Sequence, residues 1–223
     1  RRNRIVVLVE AEGPGGRADL LATEIGGDAR AIPFKGPAEP LGPSDVIEWA
    51  SPTTAGWGDP LSRPPEAVAA DIGHGDFTPA DAERVYAVRL TRDGDIDYPA
   101  TESLRRQRRS ERLGAEPRRD PASVDSDRPG LAVGDQLCLH DRRWACRCGE
   151  DLGPQDANYK NAARLTERPI RAIAPEFATD DPEMADLVVF REFLCPGCGV
   201  RLDTEITRRD DPLLHDVTIH EPQ

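Results

Sequence analysis

Two short cysteine turns, Cys146-Arg147-Cys148-Gly149 and Cys195-Pro196-Gly197-Cys198-Gly199, constrain this 223-residue chain more than any other feature. All five cysteines lie between Cys138 and Cys198. An odd, clustered set with no secretory pattern ahead of it favours a metal over disulfides. Two close cysteines on one turn chelate a cation from one side, and the trailing glycine lets the backbone bend so that its N–H groups face sulfur. Two such turns supply the four thiolates that Zn²⁺ takes in tetrahedral structural sites. The expected metal ligands are therefore Cys146, Cys148, Cys195 and Cys198. The second turn has the usual two-residue spacing, and the first is tighter by one. The 46 residues between Cys148 and Cys195 exceed a minimal ribbon, so an insertion is expected there. Reduced buried thiols, a disulfide pair and an iron–sulfur cluster are the competing readings. Cys138 or His140 could stand in for Cys146, but a lone strand cysteine is more often core than ligand. A closed four-thiolate site leaves no position for a catalytic water, so the zinc is structural.

The chain is expected to be α+β, with a mostly β first domain carrying short helices and then a small zinc-ribbon-like β domain. Gly 19 and Pro 21 point to a loop-heavy fold, and 5% aromatics to a core of Val, Ile, Leu and Ala. Ile5 to Val9 is a continuous apolar run, read as a buried strand with a free edge. Ala29 to Phe34 and Val46 to Ala50 are further strands. Pro64 to Gly73 reads as a helix with Pro at its start and Gly at its stop. Thr78 is an N-cap with Asp81 at the third helical position. Val85 to Thr91 and Asp95 to Asp97 flank a hairpin turn at Arg92-Asp93-Gly94, and Glu102 to Leu113 is a polar helix. Residues 113–130 have linker composition, which divides the chain into 1–112 and 131–223. In the second block Gln136 to His140, Trp144 to Cys146, Leu187 to Leu194 and the alternating Arg201 to Thr207 read as strands that lead into and out of the cysteine turns.

A net charge of −12, from 29 basic and 41 acidic residues, disfavours nucleic acid as a partner. Of the basic residues only Lys35 and Lys160 are lysine. No apolar run has the length of a membrane span or a signal peptide, so no membrane is expected and the location is expected to be cytoplasmic. The opening Arg1-Arg2-Asn3-Arg4-Ile5 reads like the interior of a longer protein. Gly13-Pro14-Gly15-Gly16-Arg17-Ala18 has the outline of a dinucleotide fingerprint, but a proline sits in its tight turn and the following helix is short, so it reads as a loop. Asp59, in Gly56-Trp57-Gly58-Asp59-Pro60, reads as a residue capping backbone N–H groups. The arginines of 105–119 read as a solvated helix face. His74, His140, His215 and His220 are scattered, and no catalytic residue is assigned.

Two segments resemble known families. Ser51-Pro52-Thr53-Thr54-Ala55-Gly56-Trp57-Gly58-Asp59-Pro60, followed by Arg63, Pro65-Glu66-Ala67-Val68, Asp71, Gly75, Thr78-Pro79, Ala82 and Tyr86-Ala87-Val88, resembles the C-terminal part of the hydantoinase B / 5-oxoprolinase family over about residues 1–110. That family carries a Thr-Pro, a glycine run, Gly-Asp-Pro, Asp-Pro-Glu and Tyr-Gly-Val. Here the glycine run is Thr53-Thr54-Ala55, and Ala87 follows Tyr86. Cys146-Arg147-Cys148-Gly149, Asn158-Tyr159-Lys160 and Arg191-Glu192-Phe193-Leu194-Cys195-Pro196-Gly197-Cys198-Gly199 resemble the small, gamma-type zinc-binding subunit of acetone and acetophenone carboxylases. The resemblance implies a multisubunit ATP-dependent ketone carboxylase, or a related cyclic-amide hydrolase, with hydantoinase-A-like and hydantoinase-B-like subunits as partners. It also implies ATP with Mg²⁺ or Mn²⁺, which are expected on those partners because this chain carries no phosphate cradle. The alternative expectation is a stand-alone zinc-ribbon adaptor that binds a protein and catalyses nothing.

Overall fold

The computed structural model describes residues 5–8, 29–31, 40, 42, 46–49, 58–76, 78–121, 130–173 and 186–219. The chain falls into two compact units, Arg1–Ala55 and Gly56–Gln223. The first holds an antiparallel sheet of β1 (Ile5–Leu8), β2 (Ala29–Ala31) and β3 (Val46–Trp49) in the order β2-β1-β3. Val6 pairs with Ala31 on one side and Glu48 on the other. The apolar run is thus the central strand, and the free edge expected for it is not there. A fully apolar strand sits in mid-sheet because both of its edges are then hydrogen-bonded. Gly13 to Ala18 lies outside the described residues.

The second unit opens with a 3-10 turn, Pro60–Ser62, and helix α1 (Pro65–Gly73). Next comes the three-residue α2 (Pro79–Asp81), which runs into a π turn at Ala82–Tyr86. Thr78 and Asp81 close a reciprocal capping box: the Thr78 hydroxyl accepts the Asp81 N–H and the Asp81 carboxylate accepts the Thr78 N–H. The expected strand over Val85 to Thr91 is not formed. Ala82 and Val88 bury against Val68 from α1 in a helical-turn core, and the hairpin shrinks to a single bridge between Leu90 and Ile96. Helix α3 (Tyr98–Leu113) starts earlier than Glu102 because Asp97 accepts the Ala100 N–H and Pro99 suits the first turn. Gly114, at φ 67°, ends it. Its buried face carries Thr101, Leu104, Arg105, Arg109 and Leu113, spaced three and four apart. Two of the arginines expected in solvent are therefore internal. Arg105 donates to the Arg63 and Tyr86 carbonyls, and Arg109 to that of Leu61.

Two antiparallel sheets follow. One is the meander β4 (Leu131–Val133), β5 (Leu137–His140), β6 (Arg143–Cys146) and β7 (Asp151–Pro154). The other has β9 (Val188–Leu194) between β8 (Arg164–Pro169) and β10 (Arg201–Arg208). Both sheets feed one core of Leu137, Trp144, Leu152, Tyr159, Val200 and the four turn cysteines. The Trp144 indole N–H donates to the Gln155 carbonyl at 3.1 Å, which satisfies its polar edge inside the core. The fold is α+β with a small zinc-ribbon-like β domain. No helix among the described residues is long and apolar enough to cross a membrane.

Candidate metal centre

Each cysteine turn closes a hairpin. Cys146 ends β6, its N–H donates to the Glu150 carbonyl at 2.9 Å, and the Gly149 N–H returns to the Cys146 carbonyl at 2.7 Å. Cys195 follows β9, its N–H donates to the Val200 carbonyl at 2.8 Å, and the Gly199 N–H returns to the Cys195 carbonyl at 2.9 Å. Gly149 and Gly199 stand at φ 90° and 73°, left-handed positions that a side chain would strain. The missing residue between the first two cysteines is absorbed by closing that hairpin one residue sooner.

The turns face one another across the core. The Sγ atoms of Cys146, Cys148, Cys195 and Cys198 all lie within 4.8 Å of one another, and all four residues are buried. Cys146 Sγ is 3.8 Å from Cys198 Sγ, and Cys148 Sγ is 3.6 Å from Cys195 Sγ. Zn–S bonds of about 2.3 Å place tetrahedral sulfurs about 3.8 Å apart, so the cage has the size and donor set for that cation. Hydrogen bonds among the thiols, those with Cys146 foremost, hold the Cys148 thiol well below its ordinary value, while the same sharing pushes Cys146 up. Strand pairing explains why Cys138 stays out. Leu137 faces Cys146, so Cys138, one residue on, points through the other face of the sheet, and its thiol contacts the Ala145 carbonyl. His140 shares the Cys138 parity and is exposed beside Asp141.

Charged groups surround the second turn. Asp59 is buried, and its carboxylate accepts from the Leu61 N–H at 3.1 Å, as expected of a capping residue. It also accepts from the Arg201 N–H at 2.9 Å and from both Arg112 guanidinium nitrogens at 2.7 and 3.1 Å. Burial pushes its acidity down, and Arg112 with these hydrogen bonds overrides that, holding the carboxyl below its ordinary value of 3.8. The Arg119 N–H donates to the Gly197 carbonyl at 3.0 Å, and Glu150 takes Arg118 and Arg119 at 2.7 and 2.9 Å. Arg109 is 3% exposed.

A second charge cluster escapes the sequence reading altogether. The Lys160 ammonium, with no exposed side-chain surface, meets Asp203, Glu205 and Asp216 at 2.6, 2.7 and 3.1 Å. The signal available was its rarity: a lysine kept in an arginine-rich chain marks a site that wants a compact cation. Asp71, His74 and Asp76 also cluster at the end of α1, but His74 and Asp76 are exposed and the half-buried Asp71 is engaged by Arg63.

Fold and site together define a zinc-ribbon-like β domain, two cysteine hairpins closing one four-thiol cage inside a larger α+β unit. Within that class, residues 126–222 match the family model of the acetone carboxylase gamma subunit. The match spans both cysteine turns and the whole of the two sheets. No curated protein matches the chain.

Proposed function

We propose that this chain is a non-catalytic or partly catalytic subunit, or a piece of one, of a cytoplasmic multisubunit ATP-dependent ketone carboxylase or related hydantoinase/oxoprolinase-type hydrolase. Cys146, Cys148, Cys195 and Cys198 hold one structural Zn²⁺. The observation that carries the reading is the four-thiol cage lying within the segment that matches the acetone carboxylase gamma subunit. Zn²⁺ bound by four thiolates supplies cross-linking of the fold, with no free coordination position for substrate. ATP and Mg²⁺ or Mn²⁺ belong to the hydantoinase-A-like and hydantoinase-B-like partners.

Ala87 supports the hydantoinase-B resemblance of the earlier segment. It stands at φ 50°, in the left-handed region, where that family's Tyr-Gly-Val pattern has a glycine. Pro60, Arg63 and Pro65-Glu66-Ala67-Val68 of the same resemblance fall on the 3-10 turn, its C-cap and α1 in succession.

The test is elemental analysis of the purified chain, followed by ATP turnover with and without coexpressed hydantoinase-A-like and hydantoinase-B-like subunits. The expected result is one zinc per chain, no ATP turnover by the chain alone, and co-elution with the partners. Zinc without any partner association would favour the adaptor. Steady ATP turnover by the isolated chain would overturn the assignment of the chemistry to other subunits.

A further inference from the structure

The second cysteine turn is clasped from outside by residues that precede the family-matched segment. Asp59, its side chain fully buried, reaches β10 through the Arg201 N–H at 2.9 Å and α3 through Arg112. Arg112 also donates to the Gly199 carbonyl at 3.4 Å, directly after Cys198. The Arg119 N–H holds the Gly197 carbonyl at 3.0 Å, between Cys195 and Cys198. Contact is close enough that a methyl on Gly199 would come within 3.0 Å of Arg109 Cβ and 3.3 Å of Leu113 Cδ1. α3 therefore lies against the turn with no room for a side chain between them.

Charge follows the same layout. Arg109, Arg112, Arg118 and Arg119 stand around the turn against the carboxylates of Asp59 and Glu150. Glu102 reaches Arg109 only at 3.9 Å and is largely in solvent. Arg109 is buried, and its Nε has no hydrogen-bond partner among the described residues. Cations are thus in excess beside four thiols that, once they bind a divalent metal, carry a net negative charge. Burying that anion is costly unless cations and backbone N–H groups face it.

We propose that residues 58–121 form the outer sphere of the metal centre. The Asp59 and Arg112 side chains and the Arg119 backbone N–H hold the second cysteine turn in its chelating shape, and the Arg109 and Arg119 guanidinium groups offset the thiolate charge, so that this segment sets how tightly the chain retains its cation. This rests on the reading of the four-thiol cage as a zinc site. The named side chains are positioning residues, acting through the turn and touching no reacting atom.

The full chain serves for the test, as wild type and as Asp59→Asn, Arg109→Met, Arg109→Lys, Arg119→Ala and Val68→Ala. Val68 is fully buried in the same segment but in the separate cluster with Ala82 and Val88. Two quantities are read: the thiolate-to-cobalt absorption band after loading with Co²⁺, and the rate at which Zn²⁺ passes to a coloured chelator in excess. Asp59→Asn and Arg109→Met should release zinc about 10–100-fold faster. Arg109→Lys should recover part of that loss, and Val68→Ala should stay near the wild-type rate. Arg119 is half exposed, so Arg119→Ala folds even if the Arg109 variants do not; it keeps the backbone N–H to Gly197, removes only the guanidinium charge, and should also release faster. Wild-type release rates in all the charge variants, or equally fast release from Val68→Ala, would overturn the outer-sphere role while leaving the zinc site standing. A wild-type chain without the cobalt–thiolate band would overturn the zinc reading, and this proposal with it.

Discussion

At the scale of single residues, Lys160 shows how a buried charge is tolerated. Burial by itself lowers the pKa of its ammonium, but the hydrogen bonds it donates to Asp203, Glu205 and Asp216 outweigh that and leave it above the ordinary value of 10.5. Phe193 adds a ring face 4.9 Å from the nitrogen. A folded value raised in this way gives stability that is fully present below pH 10.5 and is lost as pH climbs through the still higher folded value. The ammonium thus keeps its charge across neutral pH. It also ties down the C-terminal tail: Asp216 is in the tail, Asn158 donates to the Leu214 carbonyl, and the Leu214 N–H donates to Glu205. Lys160→Met leaves three carboxylates facing one another without their cation and should cost about 3–5 kcal/mol at neutral pH. Urea unfolding of the zinc-loaded chain at neutral pH measures it. An unshifted midpoint at neutral pH would show that the ammonium is not the keystone of the cluster.

At the scale of elements, the two glycines of the second cysteine hairpin tolerate substitution differently. Gly199 sits at φ 73° with α3 backbone and Cβ atoms against it. Gly199→Ala incurs the left-handed penalty of about 1–2 kcal/mol and a clash that the helix backbone cannot relieve. At Gly197 the nearest atom to an added methyl is Glu150 Oε2 at 2.5 Å, the tip of a flexible side chain. Gly197→Ala should therefore lower the thermal midpoint less than Gly199→Ala does, and the reverse order in a melting experiment would refute the packing account. Much at this scale was legible beforehand. The Thr78 cap, the proline start of α1 and the extended course of β10 follow local rules that act within a few residues, but in β10 the pattern inverts, with Glu205 buried and Ile206 exposed. Val85 to Thr91 was not legible as a turn, since an apolar run reads alike in a strand and in a π turn packed on α1. Nor was the burial of Arg105 and Arg109, because the carbonyls they bind belong to segments 19 to 48 residues away.

For the molecule as a whole, the cage is part of the core and not an appendage. The four thiols share one cluster with Trp144, Leu152, Tyr159 and Val200, so each sulfur that loses its cation remains buried among apolar neighbours. Small domains draw much of their folding free energy from such a clip. Stripping the metal with excess chelator at neutral pH should therefore abolish amide-exchange protection in β5, β6, β7, β9 and β10. It should also loosen α3, whose docking on the turn runs through Gly199. Hydrogen exchange read by mass spectrometry separates these outcomes. Protection of β6 and β9 that survives chelation would mean the sheets hold without the clip.

Local spacing specifies the two cysteine turns, whose four sulfurs the fold brings within 4.8 Å of one another, and the strands that carry them. Chelating turns, caps and strand alternation are all written in spacings of a few residues. Tertiary structure decided which other residues serve the site. Asp59 lies 142 residues from Arg201, and Lys160 lies 45 from Glu205. A charge has no preferred partner at such separations until packing of α3 on the second turn, and of the tail on β10, excludes the water that would otherwise solvate both.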